Sequence, residues 1–309
     1  KITNINFAVN KFWQKKYLVD NIVISPGIDI NKCKIKYYLK KKIKKVITDL
    51  DIFFDLNKNA FIISITGTNG KSTTCKIIEK ILRKAGHNTK LVGNIGNPVL
   101  SINKFEKKSI FILEVSSYQI QYSKLFRSQH AAILNISPDH LDRHKNIKKY
   151  IKIKSQIFFK QKKTDHSYIN SNNKYSESIN KIFKVKKIKS KLIKINKNNY
   201  GFLLKKIKNK YFNSSGNIEN LAFAYKIAKN LKISDDTIVK ALEKFKGLPH
   251  RQEIVFRNKK ITCVNDSKAT SFEACAQSLL NYNKIYWIVG GLPKYKDNFY
   301  LRNISKKII

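Results

Sequence analysis

The chain has 309 residues, of which 42% are hydrophobic, so it is long enough for two or three domains and its composition excludes a disordered protein. Its formal net charge of +43 arises from 63 lysine and arginine residues against 20 acidic residues. Only six of the basic residues are arginine, the side chain best suited to phosphates and guanine edges. We therefore interpret the charge as a solvated coat of lysine and expect no specific nucleic-acid partner, with a basic nucleic-acid-binding module as the competing interpretation.

Four cysteines are spread along the chain without a C-x-x-C pair or the spacing of a metal site, which predicts free thiols in a reducing cytosol. No apolar run approaches the roughly 18 residues of a membrane span, and the first residues lack the apolar segment of a signal peptide. We therefore expect a cytoplasmic protein without a membrane partner. Because the chain contains no methionine and stops just after a strand-like run, we also expect it to be a piece of a longer protein.

The first elements in chain order are a short buried strand over 21–28, which meets a Pro-Gly turn, and a lysine-rich helix over 32–45. From residue 61 the pattern changes, and apolar strands alternate with helices. The predicted strands cover 61–66, 90–93, 110–115 and 131–136, and the predicted helices cover 72–85 and 145–160. This alternation predicts an α/β fold with a mostly parallel sheet that helices cover.

The second half of the chain is less regular. Residues 161–216 are rich in Lys and Asn and poorly patterned, so only weak strands are predicted there. Helices follow over 217–231 and 235–246, and the segment GLPHRQE that begins at Gly247 is typical of a hinge. Beyond it we predict another α/β unit, which begins with a strand over 261–266, a helix over 271–281 and a strand over 285–291.

The segment GTNGKST (67–73) lies between a predicted strand and a predicted helix, which is the context of a phosphate-binding loop. The usual spacing would place the first glycine at position 65, where this chain has Ile65. Glycines allow backbone N–H groups to surround phosphate oxygens, and the helix N-terminus adds a positive dipole end. Lys71 would then neutralise β- and γ-phosphate oxygens, and Ser72 or Thr73 would reach Mg²⁺. A glycine-rich turn with an unrelated lysine is the alternative.

Polar residues follow two of the apolar strands. Glu114 ends one strand, where a lone carboxylate is costly unless it meets a cation. The segment NISPDHLDRH (135–144) follows the next strand and supplies acidic and histidine side chains at the same expected sheet edge. We interpret both as candidate metal or phosphate contacts. A surface-facing strand-end Glu114 and a simple helix cap in 135–144 remain open alternatives.

Two further segments carry charged residues without a distinctive pattern. Lys152 and Lys154 lie among many other lysines, and the sequence by itself marks neither as special. In VNDSKATS (264–271), Asp266 could accept ribose hydroxyls while Lys268 and Thr270 contact an anion. A turn with a helix cap explains that second segment equally well.

Taken together, these segments resemble the ATP-dependent Mur ligases of peptidoglycan precursor synthesis. Within that family they are most similar to the branch that adds D-glutamate to UDP-N-acetylmuramoyl-L-alanine. The displaced first glycine of the loop is a trait of the family. The matching segments, in order, are SPGI (25–28), GTNGKST (67–73), GNIG (93–96), EVSSYQ (114–119), NISPDHLDRH (135–144), GLPHRQE (247–253), NDSKAT (265–270) and GGLPK (290–294).

The resemblance implies three regions. Residues 1–49 would be the remnant of a Rossmann-like domain for the UDP-substrate, 50–247 a central ATP-binding domain, and 248–309 the start of an α/β domain for the amino acid. The Gly-rich uridine-binding start of the family is missing, and the third region stops short of the last D-glutamate contacts of the family. We expect a monomer.

The resemblance also implies an acyl-phosphate mechanism, in which a substrate carboxylate attacks the γ-phosphate of ATP and the amine of D-glutamate then attacks the activated carbonyl. Catalysis would depend on Lys71, His140 and Lys154, and Mg²⁺ would be bound by Ser72, Glu114, His140 and Lys154. Lys154 aligns with the lysine that CO2 converts to a carbamate in this family. Another Mur or folylpolyglutamate-type ligase, or an inactive fragment that binds polyanions non-specifically, is the alternative.

The remaining contacts implied by the resemblance belong to ATP and to the two other substrates. Arg251 and Asp266 would reach ATP from the third region only when the domains close. The family has a histidine before the first adenine-side asparagine, and this chain has Gly216 there. The implied ATP contacts are Thr68, Asn69, Gly70, Lys71, Ser72, Thr73, Thr74, Asn217, Asn220, Arg251 and Asp266, and the implied substrate contacts are Asn94, Ser116, Lys268, Thr270 and Lys294.

Overall fold

The computed structural model describes residues 20–101, 109–269, 271–292 and 304–309. Its centre is a six-stranded, all-parallel sheet with the strand order β4-β5-β3-β6-β7-β8. This arrangement confirms the predicted α/β class with a mostly parallel sheet. The strands are β3 (Phe61–Thr66), β4 (Thr89–Gly93), β5 (Ile110–Glu114), β6 (His130–Ile133), β7 (His166–Asn170) and β8 (Lys191–Ile195).

Helices cover both faces of this sheet, which explains why its central strands are apolar at nearly every position. Alternate residues of β3 enter two different cores: Ile63 and Ile65 pack on one side, and Ile62 packs on the other. On the first side lie α3 (Lys71–Lys84), α8 (Phe202–Ile207), α9 (Ser215–Asn230) and α10 (Asp235–Leu242). On the second side lie α2 (Asp49–Leu56), α4 (Ser117–Tyr122), α6 (Ile147–Ser155) and α7 (Ser176–Val185).

Helix α3 follows the prediction closely. Its apolar face buries Ile77, Ile78, Ile81 and Leu82, and the helix ends just before Gly86, whose backbone is left-handed. The predicted helix over 145–160 is shorter than expected, because α6 ends at Ser155 and one 3-10 turn follows.

The weak strands predicted for 161–216 are present as β7 and β8, which complete the sheet, whereas α7 between them was not predicted. Buried polar side chains that hydrogen-bond to one another interrupt the apolar pattern by which a buried strand is predicted. Ser167 in β7 shares a hydrogen bond of 2.8 Å with Ser190 and donates another to Gln161. Such pairs are stable in a core but make the strand look like a loop in sequence.

The region before the sheet forms a small unit of its own. Strands β1 (Ile22–Val23) and β2 (Val46–Ile47) pair in parallel, and α1 (Lys36–Lys41) packs Leu39 beneath them. The predicted helix over 32–45 is therefore only partly formed, and the predicted strand over 21–28 is reduced to two residues. The Lys124 ammonium ties this unit to the sheet domain, because it donates to the carbonyl groups of Ile43, Lys44 and Val46 at 2.5–2.9 Å.

After the sheet domain the chain forms an antiparallel pair, β9 (Glu253–Arg257) and β10 (Thr262–Asn265), followed by α11 (Phe272–Leu279). The predicted strand over 285–291 is not formed, since among the described residues Ile285 makes only an isolated bridge to Ile308. Within that segment the Ile288 side chain is fully exposed. No described helix is both long and apolar enough to cross a membrane.

Candidate nucleotide and metal site

The loop between β3 and α3 lies at the carboxyl edge of the sheet. Ile65 is fully buried inside β3 and pairs with both neighbouring strands, so the loop begins two residues later than the usual spacing. Gly70 precedes the helix with φ at +81°, and a Cβ there would lie 2.2 Å from Asn220 Oδ1. Only glycine fits this position. The first amides of α3 have no acceptor within the helix, as at any helix N-terminus, and form an anion-binding end.

Asn135, which the sequence did not single out, holds the loop from the neighbouring strand end. Its Oδ1 accepts from the Asn69 backbone N–H at 2.8 Å, and its Nδ2 donates to the Asn69 carbonyl at 3.3 Å. Thr68 is fixed similarly, because its hydroxyl accepts from the Ser137 backbone N–H at 3.0 Å. The loop is thus held in one conformation by the NISPDH segment, 66 residues further along the chain.

Lys71 and Lys154 meet at the same carbonyl group. Lys71 Nζ donates to Gly67 O at 3.0 Å and to Thr68 O at 2.7 Å, and Lys154 Nζ donates to Gly67 O at 2.9 Å. Burial lowers the pKa of Lys71, against the opposing effect of Glu114 and Asp139. Burial first, and then the neighbouring Lys71, lower the pKa of Lys154 well below its usual range. A lowered pKa makes the neutral, nucleophilic form of the amine easier to reach.

Glu114 presents a carboxylate to the same place. It is 1% exposed, its Oε1 accepts from Asn94 Nδ2 at 2.9 Å, and its buried Oε2 has no hydrogen-bond partner among the described residues. A buried carboxylate oxygen without a partner is costly unless a cation completes it. Glu114 pairs with Ile65 in the register of β3 and β5, so it lies at the edge of the sheet where the loop begins.

His140 lies in the turn that precedes the short helix α5 (Leu141–His144), with a left-handed backbone at φ +54°. Its Nδ1 shares a hydrogen bond of 2.9 Å with the Tyr118 hydroxyl, and its Nε2 lies 3.3 Å from Asp139 Oδ2. No group of three or more His, Cys, Asp or Glu side chains in the described part of the chain surrounds a common metal position. The ligand set implied by the resemblance contains only two residues of those types, Glu114 and His140.

A cleft of about 310 Å³ opens between the loop, α9 and the region after the hinge. Asn217 and Asn220 approach it from α9: Asn217 Nδ2 donates to Tyr211 O at 2.8 Å, and Asn220 Oδ1 accepts from Thr74 Oγ1 at 3.2 Å. Gly216 leaves open space at the position where the resemblance implied a histidine. The lining brings together most of the predicted ATP contacts, Asn69, Gly70, Thr73, Asn217, Asn220, Arg251 and Asp266, with Asn135, Tyr211 and Glu219, which sequence reasoning missed.

The region after the hinge contributes two predicted residues to this cleft. Arg251 Nη2 donates to Ser72 Oγ at 3.3 Å, and Asp266 Oδ1 accepts from the Gln252 backbone N–H at 3.0 Å. Burial raises the pKa of Asp266, opposed by its hydrogen bonds and by Arg251. Lys268 is exposed and does not line the cleft. Thr270 and Lys294 lie outside the described residues.

The two predicted substrate contacts, Asn94 and Ser116, follow the neighbouring strands β4 and β5. Asn94 is engaged twice by Glu114, since its backbone N–H donates to Glu114 O at 2.9 Å in addition to the side-chain bond. Ser116 caps α4, where its hydroxyl accepts from the Gln119 backbone N–H at 3.2 Å. Sequence signals for the residues we missed were weak, because Asn135 and Glu219 lie in ordinary polar positions whose partners are distant in the chain.

Comparison with known proteins identifies the family of this chain. A model of the Mur ligase middle domain matches residues 65–234. The chain is 37% identical over 296 residues to UDP-N-acetylmuramoylalanine–D-glutamate ligase of Rickettsia felis, covering 91% of this chain and 65% of that protein. It is 34% identical over 288 residues to the ligase of the same name from Zymomonas mobilis, covering 90% of this chain and 64% of that protein. The chain therefore spans about 65% of the length of these relatives.

Solved structures show the same fold. The MurF ligase from Thermotoga maritima, crystallised in complex with ADP, matches 86% of this chain and 76% of its own with a TM-score of 0.58 and 14% identity. This identity is low enough that the match concerns the fold alone. Because the family model covers more than half of the residues, including the loop and both strand ends of the site, the chain belongs to the Mur ligase family.

Proposed function

We propose that this chain is the larger part of an ATP-dependent amide ligase that adds D-glutamate to UDP-N-acetylmuramoyl-L-alanine through an acyl phosphate. The observation that carries the proposal is the convergence of three groups at one sheet edge: the glycine loop, the buried amines of Lys71 and Lys154, and the unpartnered Glu114 oxygen. The names of the relatives support the choice of amino acid.

ATP would lie in the cleft with its phosphates at the loop. The backbone of Thr68, Asn69 and Gly70 and the side chains of Ser72, Thr73 and Thr74 would surround the phosphates, with Lys71 released from its two carbonyl acceptors to bind phosphate oxygens. Asn217 and Asn220 would lie on the base side, and Arg251 and Asp266 would close over the nucleotide from the region after the hinge. A ligase of the same fold, MurF from Thermotoga maritima, was crystallised in complex with ADP, which supports nucleotide binding as the role of this domain.

Mg²⁺ fits the residues present, because Glu114 Oε2 is a buried oxygen that needs a cation and hard oxygen ligands are those that Mg²⁺ prefers. Ser72, Glu114, His140 and a carbamate formed by CO2 on Lys154 would hold it. When bound, the ion would neutralise charge on the phosphoryl group during transfer. The neutral Lys154 amine is the form that can react with CO2, so burial of this side chain supports the carbamate.

The substrates would then meet at the γ-phosphate. Asn94 and Ser116 would orient the muramoyl substrate so that its carboxylate faces the loop, while Lys268, Thr270 and Lys294 would bind phosphate or the D-glutamate carboxylate. The protein itself has little covalent chemistry to perform, because phosphoryl transfer is mainly positioning and charge stabilisation. The three proposed regions are 1–49 for the UDP-substrate, 50–247 for ATP and 248–309 for the amino acid, in a cytoplasmic monomer.

Replacing Lys71 with Ala tests this assignment. We expect MgATP binding by the 309-residue chain to weaken strongly, and ADP release with D-glutamate and the muramoyl substrate to be lost in the complete reading frame. Lys80→Ala is the matched control, because Lys80 is an exposed lysine on the same helix. Unchanged binding in Lys71→Ala would rule out the loop assignment. A panel of amino acids in the ADP-release assay separates D-glutamate from the substrates of related ligases.

The carbamate is tested separately. Lys154→Ala should lose activity and recover part of it when short carboxylic acids are added, since these can occupy the vacated ligand position. Lys152→Ala, an exposed residue on the same helix, should behave like the wild type. Activity of Lys154→Ala that is lost and does not respond to any carboxylic acid would argue against a carbamate.

A further inference from the structure

The amide of Asn135 can hold the loop in only one of its two orientations. Its oxygen faces the Asn69 N–H and its NH2 group faces the Asn69 carbonyl, so both main-chain groups are satisfied at once. Rotation of the amide by 180° would place oxygen against oxygen and NH2 against N–H. Any further group that favours this orientation of the amide therefore stabilises the loop at Asn69.

Glu219 is the group that does so. Its Oε1 accepts from Asn135 Nδ2 at 3.0 Å. An ionised carboxylate only accepts hydrogen bonds, so it distinguishes the NH2 end of the amide from the oxygen end. Burial raises the pKa of Glu219, while hydrogen bonds from Asn135 and Asn170 oppose that effect.

Glu219 lies on α9 between the two asparagines that line the cleft. One turn of this helix therefore contacts the loop at two places: Asn220 lies against Gly70 and accepts from Thr74, and Glu219 acts through Asn135 on Asn69. Helix α9 packs along α3 through a shared core, which includes Leu221, Phe223 and Ala224. The helix is a rigid support for both contacts.

We propose that Glu219 is a positioning residue for the phosphate loop, which it holds in its nucleotide-binding form by orienting the Asn135 amide. The proposal rests on the proposed function, since it assumes that the loop binds the phosphates of a nucleotide. It assigns to Glu219 a role in binding phosphates rather than in recognising the base, although this side chain also lines the cleft.

These two roles make different predictions. A residue that positions the loop affects every nucleoside triphosphate equally, because all of them present the same phosphates. A residue that contacts the base changes the preference between adenine and guanine, whose exocyclic groups differ in donor and acceptor character. The ratio of the ATP and GTP affinities therefore separates them.

The experiment measures MgATP and MgGTP binding to the 309-residue chain by calorimetry for the wild type, Glu219→Ala and Glu219→Gln. We expect Glu219→Ala to weaken the binding of both nucleotides by about five- to tenfold, as for the loss of one buried hydrogen bond. The ratio of the ATP and GTP affinities should not change. Glu219→Gln keeps an acceptor oxygen but adds a donor, so it no longer distinguishes the two amide orientations, and its affinity for both nucleotides should lie between those of the wild type and Glu219→Ala. Glu243→Ala, an exposed glutamate that follows α10, is the control.

A second pair of variants keeps the proposal testable if Glu219→Ala folds poorly. Asn135→Asp places an oxygen opposite the Glu219 carboxylate and should weaken MgATP binding. Adding Glu219→Gln restores a donor–acceptor pair between the two side chains, with the donor now on residue 219. Partial recovery in the double variant supports the link, and additive losses overturn it. A change in the ATP-to-GTP ratio in Glu219→Ala would also overturn it.

Failure of the proposed function would look different. A wild-type chain that binds neither nucleotide would contradict the nucleotide site itself. The link would then still be tested by amide hydrogen exchange, because Glu219→Ala should increase exchange at the Asn69 N–H by about tenfold relative to wild type. Unchanged exchange at that amide would show that Glu219 does not hold the loop.

Discussion

The contact between Gly70 and Asn220 predicts the cost of placing any side chain at the end of the loop. In Gly70→Ala the new Cβ would have to occupy a position 2.2 Å from Asn220 Oδ1, far inside van der Waals contact. The alanine would also be held at φ +81°, a left-handed conformation that costs an L-residue about 1–2 kcal/mol. Asn220 must then rotate away and lose the 3.2 Å hydrogen bond that it accepts from Thr74.

We expect the free energy of unfolding to fall by about 2–4 kcal/mol in Gly70→Ala, from the backbone strain plus the loss of one buried hydrogen bond. Asn220→Ala alone should lose about 1–2 kcal/mol, since only that hydrogen bond is removed. The double variant avoids the collision but keeps the strain. Its loss should therefore be smaller than the sum of the single losses by about 1–2 kcal/mol.

Urea denaturation of the four proteins measures these differences, with unchanged denaturant slopes as the sign that stability alone has changed. Gly201→Ala is the control, because its φ of −57° suits alanine and no atom lies within 4 Å of the added Cβ. It should lie within about 0.5 kcal/mol of wild type or be slightly more stable. Strictly additive losses in the double variant, or a Gly70→Ala protein as stable as wild type, would refute the collision.

Three further predictions concern the rest of the fold. Burial lowers the pKa of His130 to about 4, below its ordinary 6.5, so the folded state resists protonation of this side chain. The free energy of unfolding should therefore fall by about 3 kcal/mol as the pH falls from 6.5 to 4. Urea denaturation of the wild type against His130→Phe measures this loss. Asp165 is 1% exposed and accepts from two nitrogens of Arg127 at 2.7 and 2.8 Å. Arg127→Met leaves this carboxylate buried without its cation and should lower the free energy of unfolding by about 3–5 kcal/mol. Adding Asp165→Leu should recover much of that loss, as measured by thermal unfolding. The Arg143 guanidinium donates to two carbonyl groups of the turn at 25–28, at 3.2 and 2.5 Å. Arg143→Ala should therefore increase the rate of amide hydrogen exchange in this turn. Arg143→Lys should restore little protection, because one ammonium nitrogen cannot replace the two guanidinium nitrogens.

Several features of the molecule could be predicted from local sequence. Apolar runs that end at glycine or polar residues predicted β3, β5, β6 and α3, because strand and helix periodicity are properties of consecutive residues. The loop was likewise visible from the spacing of Gly67, Gly70 and Lys71. By contrast, β7 was predicted only weakly because its buried serine is satisfied by partners elsewhere. The strand predicted over 285–291 did not form because strand formation depends on a pairing partner as much as on composition.

The sequence by itself determined the order of the elements and the residue types available at each strand end. Tertiary structure decided which of those residues meet. It brought the Asn135 side chain into hydrogen-bonding contact with the Asn69 backbone, and the Lys154 amine into contact with the Gly67 carbonyl. It also brought Asn220 against Gly70. These pairs are 66 to 150 residues apart in the chain, and no local pattern encodes them. Parallel strands bring their carboxyl ends to one edge, so residues that are unremarkable singly acquire buried partners and altered pKa values only after the sheet has formed.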